Sequence, residues 1–378
     1  MPESKNKPKK VIISVINDLA TDQRVARVCY MLTEMGFTVM QVGRILPTSP
    51  PLPERPWEQK RMRLLFRKGP LFYAEFNLRL LIFLLFHKAD LLVANDLDTL
   101  LPNFIIHKIR RLPLVYDSHE FFTETPEVIH RPLVRGVWLT LEKLMLPRLP
   151  WMITVNESLA EIFSRKYGIE VLSVRNVPPL RSLPIPAHLI EKGIPEGKNV
   201  LILQGSGINI HRGAEEVVEA MRYIDDAVLL VIGSGDVIEQ LKEQAKQEGV
   251  AGKVFFFPRM PVDKLATFTA AATIGLSVDK DICPNYHFSL PNKLFDYIHA
   301  GTPVLASNLP EVRKVVEGWQ VGRILPGHEP RVIADALKEM LADREALRCY
   351  RQNCLKAREE LNWEKEKLLL QKRYEAYL

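Results

Sequence analysis

Residues 11–42 read VIISVINDLATDQRVARVCYMLTEMGFTVMQV, and they contain one complete strand–helix–strand unit. The short apolar runs at residues 11–16 and 37–42 predict two strands with buried faces. Between them, apolar residues recur at helical spacing at Val25, Val28, Leu32 and Met35. Gly36 follows as a stop signal for the helix. Because a helix joins the two strands, the unit predicts a parallel sheet covered by helices.

Short apolar runs and segments of helical period alternate along the rest of the chain as well. Further strands are predicted at residues 90–94, 112–116, 152–155, 199–203, 227–232, 253–257, 273–277 and 303–306. This alternation is typical of the α/β class, in which helices join parallel strands. Because one set of strands precedes residue 178 and the other follows residue 198, we expect two Rossmann-like sheets.

A proline-rich segment separates the two sets of strands. Its prolines are Pro178, Pro179, Pro184, Pro186 and Pro195. Proline at this density is unsuited to the interior of a helix or a sheet. We therefore predict an N-terminal domain of residues 1–178, a C-terminal domain of residues 179–360, and a helix at residues 361–378 that packs back on the N-terminal domain.

The composition limits the kind of partner. With 378 residues, 47% of them hydrophobic, the chain is long enough to bury two cores. Its 51 basic and 45 acidic residues leave a net charge of +6, too small an excess for a dedicated nucleic-acid binder. The four cysteines include no CxxC pair, so neither a disulfide framework nor a zinc site is expected. A reduced, cytoplasmic location fits, and residues 1–10 are expected to be a polar lead into the first strand.

A glycine-rich segment follows the first strand of the second half. It reads QGSGINIHRG at residues 204–213 and leads into a helical run. Glycines let backbone amides approach a phosphate closely, and the start of a helix adds partial positive charge. An arginine can also donate two hydrogen bonds to phosphate oxygens. The segment therefore predicts a diphosphate site at Gly205, Ser206, Gly207, Arg212 and Gly213, with an ordinary strand-to-helix turn as the alternative.

A second segment, SLPNKLFDYIHAG at residues 289–301, has the features of a helix start that faces an anion. Pro291 suits the first turn of a helix, and the amides after it are free to bind a ligand. Asn292 and Lys293 lie in that turn, and Asp296 lies about one turn further in. Asp296 is thus a candidate for accepting hydrogen bonds from the two hydroxyls of a ribose. The alternative is an amphipathic helix with Lys293 and Asp296 in solvent.

The two segments together resemble the retaining glycosyltransferases of family 4, the glycosyl transferases group 1, over nearly the whole chain. In that family a glycine-rich turn that ends in a basic residue and a glycine holds the nucleotide diphosphate, and Arg212-Gly213 occupies that place. Family members also carry two glutamates eight positions apart, the second five residues before a glycine. Here Asp296 stands at the second position and Phe288 at the first. The run from Leu290 to Asp296 is similar to a subgroup with Leu-Pro-Asn-Lys-Leu-Phe before the acidic residue.

This resemblance implies the GT-B architecture, in which two Rossmann-like domains face each other across a cleft. It also implies transfer of a sugar from a nucleotide diphosphate sugar to a hydroxyl acceptor, with retention at the anomeric carbon. Arg212 and Lys293 would then stabilise the departing diphosphate, and Asp296 would hold the ribose. The contact that the first family glutamate makes with the donor sugar must be supplied otherwise than by Phe288, or is absent.

In the first half, YDSHE at residues 116–120 follows a predicted strand. Similar family members have a histidine of the catalytic domain at this place. The resemblance therefore implies that His119 touches the transferring sugar or orients the acceptor, with Glu120 on the acceptor side. The loop after the first strand is expected at the same sheet edge, which makes Asp18, Asp22 and Arg24 acceptor candidates. A structural role for His119 and a helix cap at Asp22 are the alternatives.

The tripeptide Asp96-Leu97-Asp98 has the Asp-x-Asp spelling by which glycosyltransferases of another common fold hold a divalent metal. It lies far in sequence from both phosphate segments. We therefore expect no metal site, and we interpret Asn95 and Asp96 as the end of a strand and the cap of a helix.

A basic cluster at residues 60–68 precedes the uninterrupted apolar run at residues 80–86. Together they could rest on an anionic membrane that carries a lipid-linked acceptor. A solvated charge run followed by a core helix is the alternative that the pattern favours. The apolar run is too short to cross a bilayer.

These patterns predict a cytoplasmic glycosyltransferase, with peripheral contact to the inner face of a membrane if its acceptor is lipid-linked. The donor would be a nucleotide diphosphate sugar, and the acceptor a sugar, a glycan or a lipid-linked molecule. Neither a cofactor nor a metal is expected. The alternatives are a sugar-nucleotide epimerase of the same architecture and a noncatalytic nucleotide-sugar-binding protein.

Overall fold

The structure is a computed structural model that describes residues 7–378. The start of the predicted polar lead, residues 1–6, lies outside the described residues. The chain divides into two compact units, one formed by the residues up to Asn176 together with Glu366–Leu378, the other by Val177–Lys365. Each unit contains one parallel sheet with helices, which confirms the α/β class and the prediction of two sheets.

The sheet of the first unit has seven strands in the order β3-β2-β1-β4-β5-β6-β7. They are β1 (Lys10–Asp18), β2 (Thr38–Arg44), β3 (Glu58–Met62), β4 (Leu91–Asn95), β5 (Leu114–Ser118), β6 (Trp151–Thr154) and β7 (Glu170–Ser173). The helices are α1 (Gln23–Glu34), α2 (Pro70–Phe86), α3 (Leu97–Arg110), α4 (Pro126–Ile129), α5 (Pro132–Met145) and α6 (Glu157–Tyr167). The six residues Val11 to Ile16 are all buried, as expected for a central strand with both faces covered.

The sheet of the second unit has six strands in the order β10-β9-β8-β11-β12-β13. They are β8 (Asn199–Gly205), β9 (Ala227–Gly233), β10 (Val254–Pro258), β11 (Ile274–Ser277), β12 (Val304–Ser307) and β13 (Gly322–Leu325). The helices are α7 (Ala214–Ala220), α8 (Ile238–Gln247), α9 (Val262–Ala271), α10 (Pro284–His287), α11 (Asn292–Ala300), α12 (Pro310–Trp319), α13 (Pro330–Ala342) and α14 (Arg344–Ala357). Apolar side chains pack on both faces of this sheet.

The last helix, α15 (Trp363–Tyr374), begins in the second unit and belongs to the first from Glu366 onward. Within the first unit, the Glu366 carboxylate accepts hydrogen bonds from the backbone amide of Arg175 at 2.8 Å and from its Nε at 2.7 Å. The indole Nε1 of Trp151 donates to the hydroxyl of Tyr377 at 2.8 Å. These contacts attach the C-terminal residues to the strand β6 and to the segment that follows β7.

Two details differ from the sequence prediction. Strands β3, β7 and β13 were not predicted, and each lies at the edge of its sheet. Pro291 was expected inside the first turn of its helix, whereas α11 begins at Asn292 and Pro291 immediately precedes it. None of the helices within residues 7–378 has the length and apolar character that a membrane crossing requires.

Candidate functional site

The strand order singles out one edge of each sheet. In the first unit the order reverses between β1 and β4, and in the second between β8 and β11. Open parallel sheets bind ligands beside the carboxyl ends of the strands at this reversal. The loop after β8 is the predicted diphosphate segment, and the loop after β11 contains Asp279, which the sequence analysis did not consider.

The loop after β8 is held in place by two glycines that have no space for a side chain. Gly213 has φ +76°, and a Cβ atom there would lie 2.1 Å from the carbonyl oxygen of Val278, just after β11. Gly233, at the end of β9, would place a Cβ 1.7 Å from the carbonyl oxygen of Gly205. These close approaches bring the ends of β8, β9 and β11 together. Of the other predicted donor residues, Ser206 and Gly207 are exposed on the same loop.

The two predicted phosphate-binding cations share one buried carboxylate. Arg212 Nη1 lies 3.0 Å from Asp279 Oδ1, and Lys293 Nζ lies 2.9 Å from Asp279 Oδ2. The side chain of Asp279 is 1% exposed, whereas those of Arg212 and Lys293 are 29% and 14% exposed. The carboxylate therefore lies beneath the two cations, and both remain accessible to an anion.

The two cations keep the carboxyl group of Asp279 in its ionised form. Burial alone would raise the pKa of Asp279, but Lys293 and then Arg212 outweigh it and lower that pKa. Arg212 also stacks on the ring of Tyr286, with its Cζ 4.0 Å from the ring centroid. Such stacking and pairing restrict a long side chain to few rotamers. The result is a preorganised pair of cations at the sheet edge.

Asp296 lies on the same helix as Lys293, one turn further along. Gln204 Nε2 donates a hydrogen bond to Asp296 Oδ2 at 3.3 Å. The hydroxyl of Thr269 donates to Gln204 Oε1 at 2.7 Å. The helix is fixed on the sheet by Tyr297, whose ring occupies the space above Gly275. Asp296 is half-buried, and Asn292 is exposed at the start of the helix.

Phe288, at the place of the first family glutamate, directly follows α10, and its ring meets that of His287 edge to face. A phenyl ring provides no hydrogen-bond acceptor of the carboxylate kind.

His119 lies at the carboxyl end of β5 in the first unit, among acidic residues. Its Nδ1 is 3.3 Å from Asp96 Oδ2, and its Nε2 is 3.5 Å from Asp117 Oδ2 and 3.2 Å from Asn95 Oδ1. Its backbone amide also donates to Asp96 Oδ1 at 2.8 Å. Burial disfavours the imidazolium, but Asp96 and Asp117 outweigh it and raise the pKa of His119 from 6.5 to about 9. His119 is therefore a cation at neutral pH.

The raised pKa predicts how the stability of this cluster depends on pH. Since the folded state holds the proton more tightly than the unfolded state, the contribution of His119 is fully present below pH 6.5 and is lost as the pH rises through about 9. Replacing Asp96 with Asn removes the carboxylate that raises this pKa most, so the pKa should fall. NMR titration of the imidazole proton in both proteins measures it, and an unchanged pKa in the variant would contradict the assignment.

Arg24, predicted to contact the acceptor, is buried and directed into the protein. Its Nη2 and Nε donate to the two carboxylate oxygens of Asp117 at 2.8 and 3.2 Å, and its Nη1 donates to the carbonyl of Val174 at 3.0 Å. Arg24 and Asp117 are 5% and 2% exposed. This geometry gives Arg24 a positioning role: it fixes Asp117, which in turn contacts His119.

The remaining acceptor candidates are Asp18, Asp22 and Glu120, the last of which adjoins His119 in the chain. The Asp22 carboxylate accepts from the amide of Val25 at 3.0 Å and so caps α1. Asp18 is buried, forms an ion pair with Arg61 at 3.1 Å and accepts a hydrogen bond from Ser49. Glu120 accepts a hydrogen bond at its backbone carbonyl from Ser118 Oγ at 2.9 Å. Asp18 and Asp22 therefore have local partners in the structure.

Asp96 occupies the cap position of α3, but its carboxylate makes no capping hydrogen bond and contacts His119 instead. Asp96 thus stands at the predicted cap position, but the predicted capping hydrogen bond is not formed. Asp98 is buried, and burial followed by the charge of Asp96 raises its pKa well above the usual value. In the part of the chain that the structure describes, no three His, Cys, Asp or Glu side chains are grouped as metal ligands.

Sequence reasoning missed Asp279 and the role of Asp117. Asp279 belongs to a strand-end segment of the same kind as the one that led to His119, so the same rule would have found it. Asp117 was part of the quoted motif, but its partner Arg24 lies 93 residues away and no local pattern links the two.

Comparisons with known proteins find relatives of the second unit in sequence and of nearly the whole chain in fold. Residues 186–357, which lie in the second unit, match the family model of glycosyl transferases group 1. A D-inositol 3-phosphate glycosyltransferase from Xylanimonas cellulosilytica is 26% identical over 201 residues, 49% of this chain and 46% of that protein. A phosphatidyl-myo-inositol mannosyltransferase from Mycobacterium leprae is 33% identical over 180 residues, 46% of this chain and 44% of that protein. The chain spans a little under half the length of these curated relatives.

Solved structures resemble nearly the whole chain. The sucrose-phosphate synthase from Thermosynechococcus elongatus has a TM-score of 0.80 at 18% identity, covering 97% of this chain and 98% of that one. Anabaena Alr3699/HepE in complex with UDP-glucose has a TM-score of 0.74 at 14% identity, covering 97% of this chain and all of that one. At such identities the likeness concerns the fold. The chain thus has the GT-B fold, and its residues 186–357 match the family model of glycosyl transferases group 1.

Proposed function

We propose that this protein is a glycosyltransferase that moves a sugar from a nucleotide diphosphate sugar to a hydroxyl acceptor, with retention at the anomeric carbon. The observation that carries the proposal is the pair of accessible cations, Arg212 and Lys293, on the buried carboxylate of Asp279. It lies at the sheet edge where parallel folds bind nucleotides, inside the segment that matches the family. Retention is supported by the family resemblance alone.

In this reaction the bond between the sugar and the diphosphate breaks, and the acceptor oxygen forms the new bond to the sugar. Negative charge grows on the diphosphate as it leaves. Arg212 and Lys293 stabilise that charge more strongly in the transition state than in the bound donor, which accelerates the step. Because Asp279 already orients both cations, little reorganisation is needed when the charge develops.

Asp296 is proposed to hold the ribose of the donor. Replacing Asp296 with Asn keeps the size and removes the charge, so binding of the free nucleoside diphosphate should weaken roughly tenfold or more, as for loss of a hydrogen bond to a charged group. Calorimetry with the nucleotide alone measures this, because ribose is present with or without the sugar. The matched control is Asp263→Asn in the same unit, an exposed residue on α9. Equal affinity in Asp296→Asn and wild type would remove Asp296 from the donor site.

His119 is proposed to contact the transferring sugar or to orient the acceptor, and Glu120 is proposed to lie on the acceptor side beside it. The acceptor is proposed to be a sugar, a glycan or a lipid-linked molecule, with a peripheral contact between the first unit and a membrane. The relatives' names mention D-inositol 3-phosphate and phosphatidyl-myo-inositol, which supports a test with both water-soluble and lipid-linked hydroxyl compounds as acceptors.

We further propose that transfer needs neither a metal nor a cofactor. Two cations at the diphosphate supply the charge that a divalent metal supplies in other enzymes. Once a transfer assay is established, activity should therefore be unchanged by excess EDTA. Loss of activity that manganese restores would overturn this proposal and return attention to Asp96 and Asp98.

The function is tested first by thermal shift with a panel of nucleotide sugars. UDP-glucose and GDP-mannose come first, because neighbours or relatives are named for them. A donor at 100 times its dissociation constant stabilises the protein by about 2.7 kcal/mol. The donor so found is then incubated with and without acceptors. Release of nucleotide that depends on acceptor supports transfer, conversion of the donor alone indicates an epimerase, and binding without turnover indicates a binding protein.

A further inference from the structure

The first unit contains a cleft of about 330 Å³ that belongs to none of the sites described above. It lies beside the carboxyl ends of β2 and β3, between the segment after β2 and the start of α2. Three arginines, Arg44, Arg63 and Arg67, line it together with apolar side chains such as Leu46, Phe66 and Phe72. The cleft therefore combines a concentrated positive charge with apolar walls.

Within the part of the chain that the structure describes, the three arginines that line the cleft have no carboxylate in direct contact. Among residues 7–378, none of them forms an ion pair with a carboxylate. Arg44 is half-buried, with its Cζ 4.7 Å from the ring centroid of Phe72 and its buried Nε without a hydrogen-bond partner. Arg63 and Arg67 are exposed at the rim. Three guanidinium groups that line one cleft without a carboxylate in ion-pair contact are suited to phosphate, which accepts their paired hydrogen bonds.

The segment that carries two of these arginines is fixed to α2. The Glu75 carboxylate accepts from the backbone amides of Leu65 at 2.8 Å and Phe66 at 2.9 Å, and Arg79 Nε donates to it at 2.8 Å. Since Leu65 and Phe66 lie between Arg63 and Arg67, these bonds hold the rim of the cleft against the helix.

Helix α2 has two apolar faces, and only one of them is covered. The buried face consists of Phe72, Phe76, Leu80 and Leu84. The opposite face carries Leu71, Leu78, Ile82 and Leu85, which are 59%, 59%, 47% and 39% exposed. Phe86, at the end of the helix, is 82% exposed. A continuous exposed apolar face of this kind is typical of a surface that contacts another molecule or a membrane.

We propose that the cleft binds the phosphate group of an anionic phospholipid in a bilayer surface, while the exposed face of α2 lies against the lipid. The arginines match the charge of the headgroup, and the uncovered apolar side chains of α2 match the acyl region. A free phosphate would use only the first of these features. This inference rests on the membrane contact in the proposed function and assigns it a headgroup and a site.

The experiment measures co-sedimentation of the full chain with three kinds of vesicle at low salt: phosphatidylcholine alone, phosphatidylcholine with phosphatidylglycerol, and phosphatidylcholine with oleate at the same surface charge. Binding should be strongest to the phosphatidylglycerol vesicles, because only these offer a net negative phosphate. Equal binding to the oleate vesicles would overturn phosphate recognition. Saturable binding of inorganic phosphate together with no preference for the phosphatidylglycerol vesicles would show a free-phosphate site and also overturn the proposal.

Variants separate the cleft from a general surface charge. Arg63→Ala combined with Arg67→Ala should weaken binding to phosphatidylglycerol vesicles on the order of 30-fold, since each basic residue near an anionic surface contributes roughly a factor of five. Arg348→Ala with Lys356→Ala, two exposed residues of α14 with the same total charge, should have little effect. Arg44→Lys keeps the charge and loses the guanidinium fork, so it should also weaken binding. Full binding by Arg44→Lys, or equal losses in both double variants, would contradict the proposal.

The lipid proposal and the proposed enzyme activity can fail separately. Arg212→Ala changes the donor site in the other unit and should leave vesicle binding as in the wild type. The double variant at Arg63 and Arg67 is judged by vesicle binding alone, whatever sugar transfer it retains. A wild-type chain that transfers sugar but ignores phosphatidylglycerol vesicles would sink the lipid proposal and leave the enzyme activity intact.

Discussion

Replacing Asp117 with Asn is expected to lower the free energy of unfolding of the first unit by about 3–5 kcal/mol. The variant leaves the Arg24 guanidinium, 5% exposed, without the carboxylate that accepts two of its hydrogen bonds. Asparagine has one acceptor oxygen and no charge, so the buried cation is no longer compensated. The effect is large because the guanidinium cannot lose its proton and cannot reach water without displacing the sheet edge.

The measurement must report on the first unit, because the chain has two units and can unfold in more than one step. Hydrogen exchange of the amides of β4 and β5 provides this resolution. The matched control is Glu170→Gln in the same unit, which breaks the ion pair of Glu170 with Arg373, both at the surface. That change should cost at most about 1 kcal/mol. Similar costs for the two variants would mean that the Arg24–Asp117 pair is not the structural centre of this edge.

The central strands of both sheets could be predicted from the sequence, and three of the edge strands could not. Residues 11–16 are a continuous apolar run because β1 is covered on both faces. Strand β3 reads EQKRM, and most of its residues are polar because the strand is partly exposed. In the sequence it therefore looks like a cluster of charges and not like a strand. Charged side chains at a sheet edge discourage pairing with other chains, which is a property of the whole sheet and not of the segment.

The individual site residues could be proposed from sequence, but their grouping could not. Arg212 and Lys293 were chosen because each follows a strand or begins a helix. That they meet on Asp279 follows from the position of β11 next to β8, which is set by the strand order. Likewise, Arg24 was placed on the acceptor side because it follows β1, whereas the long-range pair with Asp117 directs it inward. Local sequence patterns indicate which residues lie at the edge of the sheet. Pairing between distant residues decides which of their side chains remain accessible to a ligand.

Replacing Arg212 with Ala is expected to lower the rate of sugar transfer on the order of a hundredfold or more, as for loss of one preorganised donor to developing charge. Asp279→Asn should lower turnover as well, on the order of tenfold to a hundredfold, because both cations lose the carboxylate that orients them. The two variants should differ in nucleotide binding. Arg212→Ala removes a contact and weakens it, whereas Asp279→Asn leaves two cations with less compensating negative charge, so binding is retained or tightened.

A double-mutant cycle tests whether Asp279 acts through Arg212. If it does, adding Asp279→Asn to Arg212→Ala should cost much less than Asp279→Asn costs alone, with only the share that passes through Lys293 remaining. Transfer assays and calorimetry with the free nucleotide are run on the single and double variants, with Asp263→Asn, which breaks the exposed pair with Arg181, as the control. Fully additive losses, or nucleotide binding lost together with turnover in Asp279→Asn, would show that Asp279 supports the fold of the loop rather than the position of the two cations.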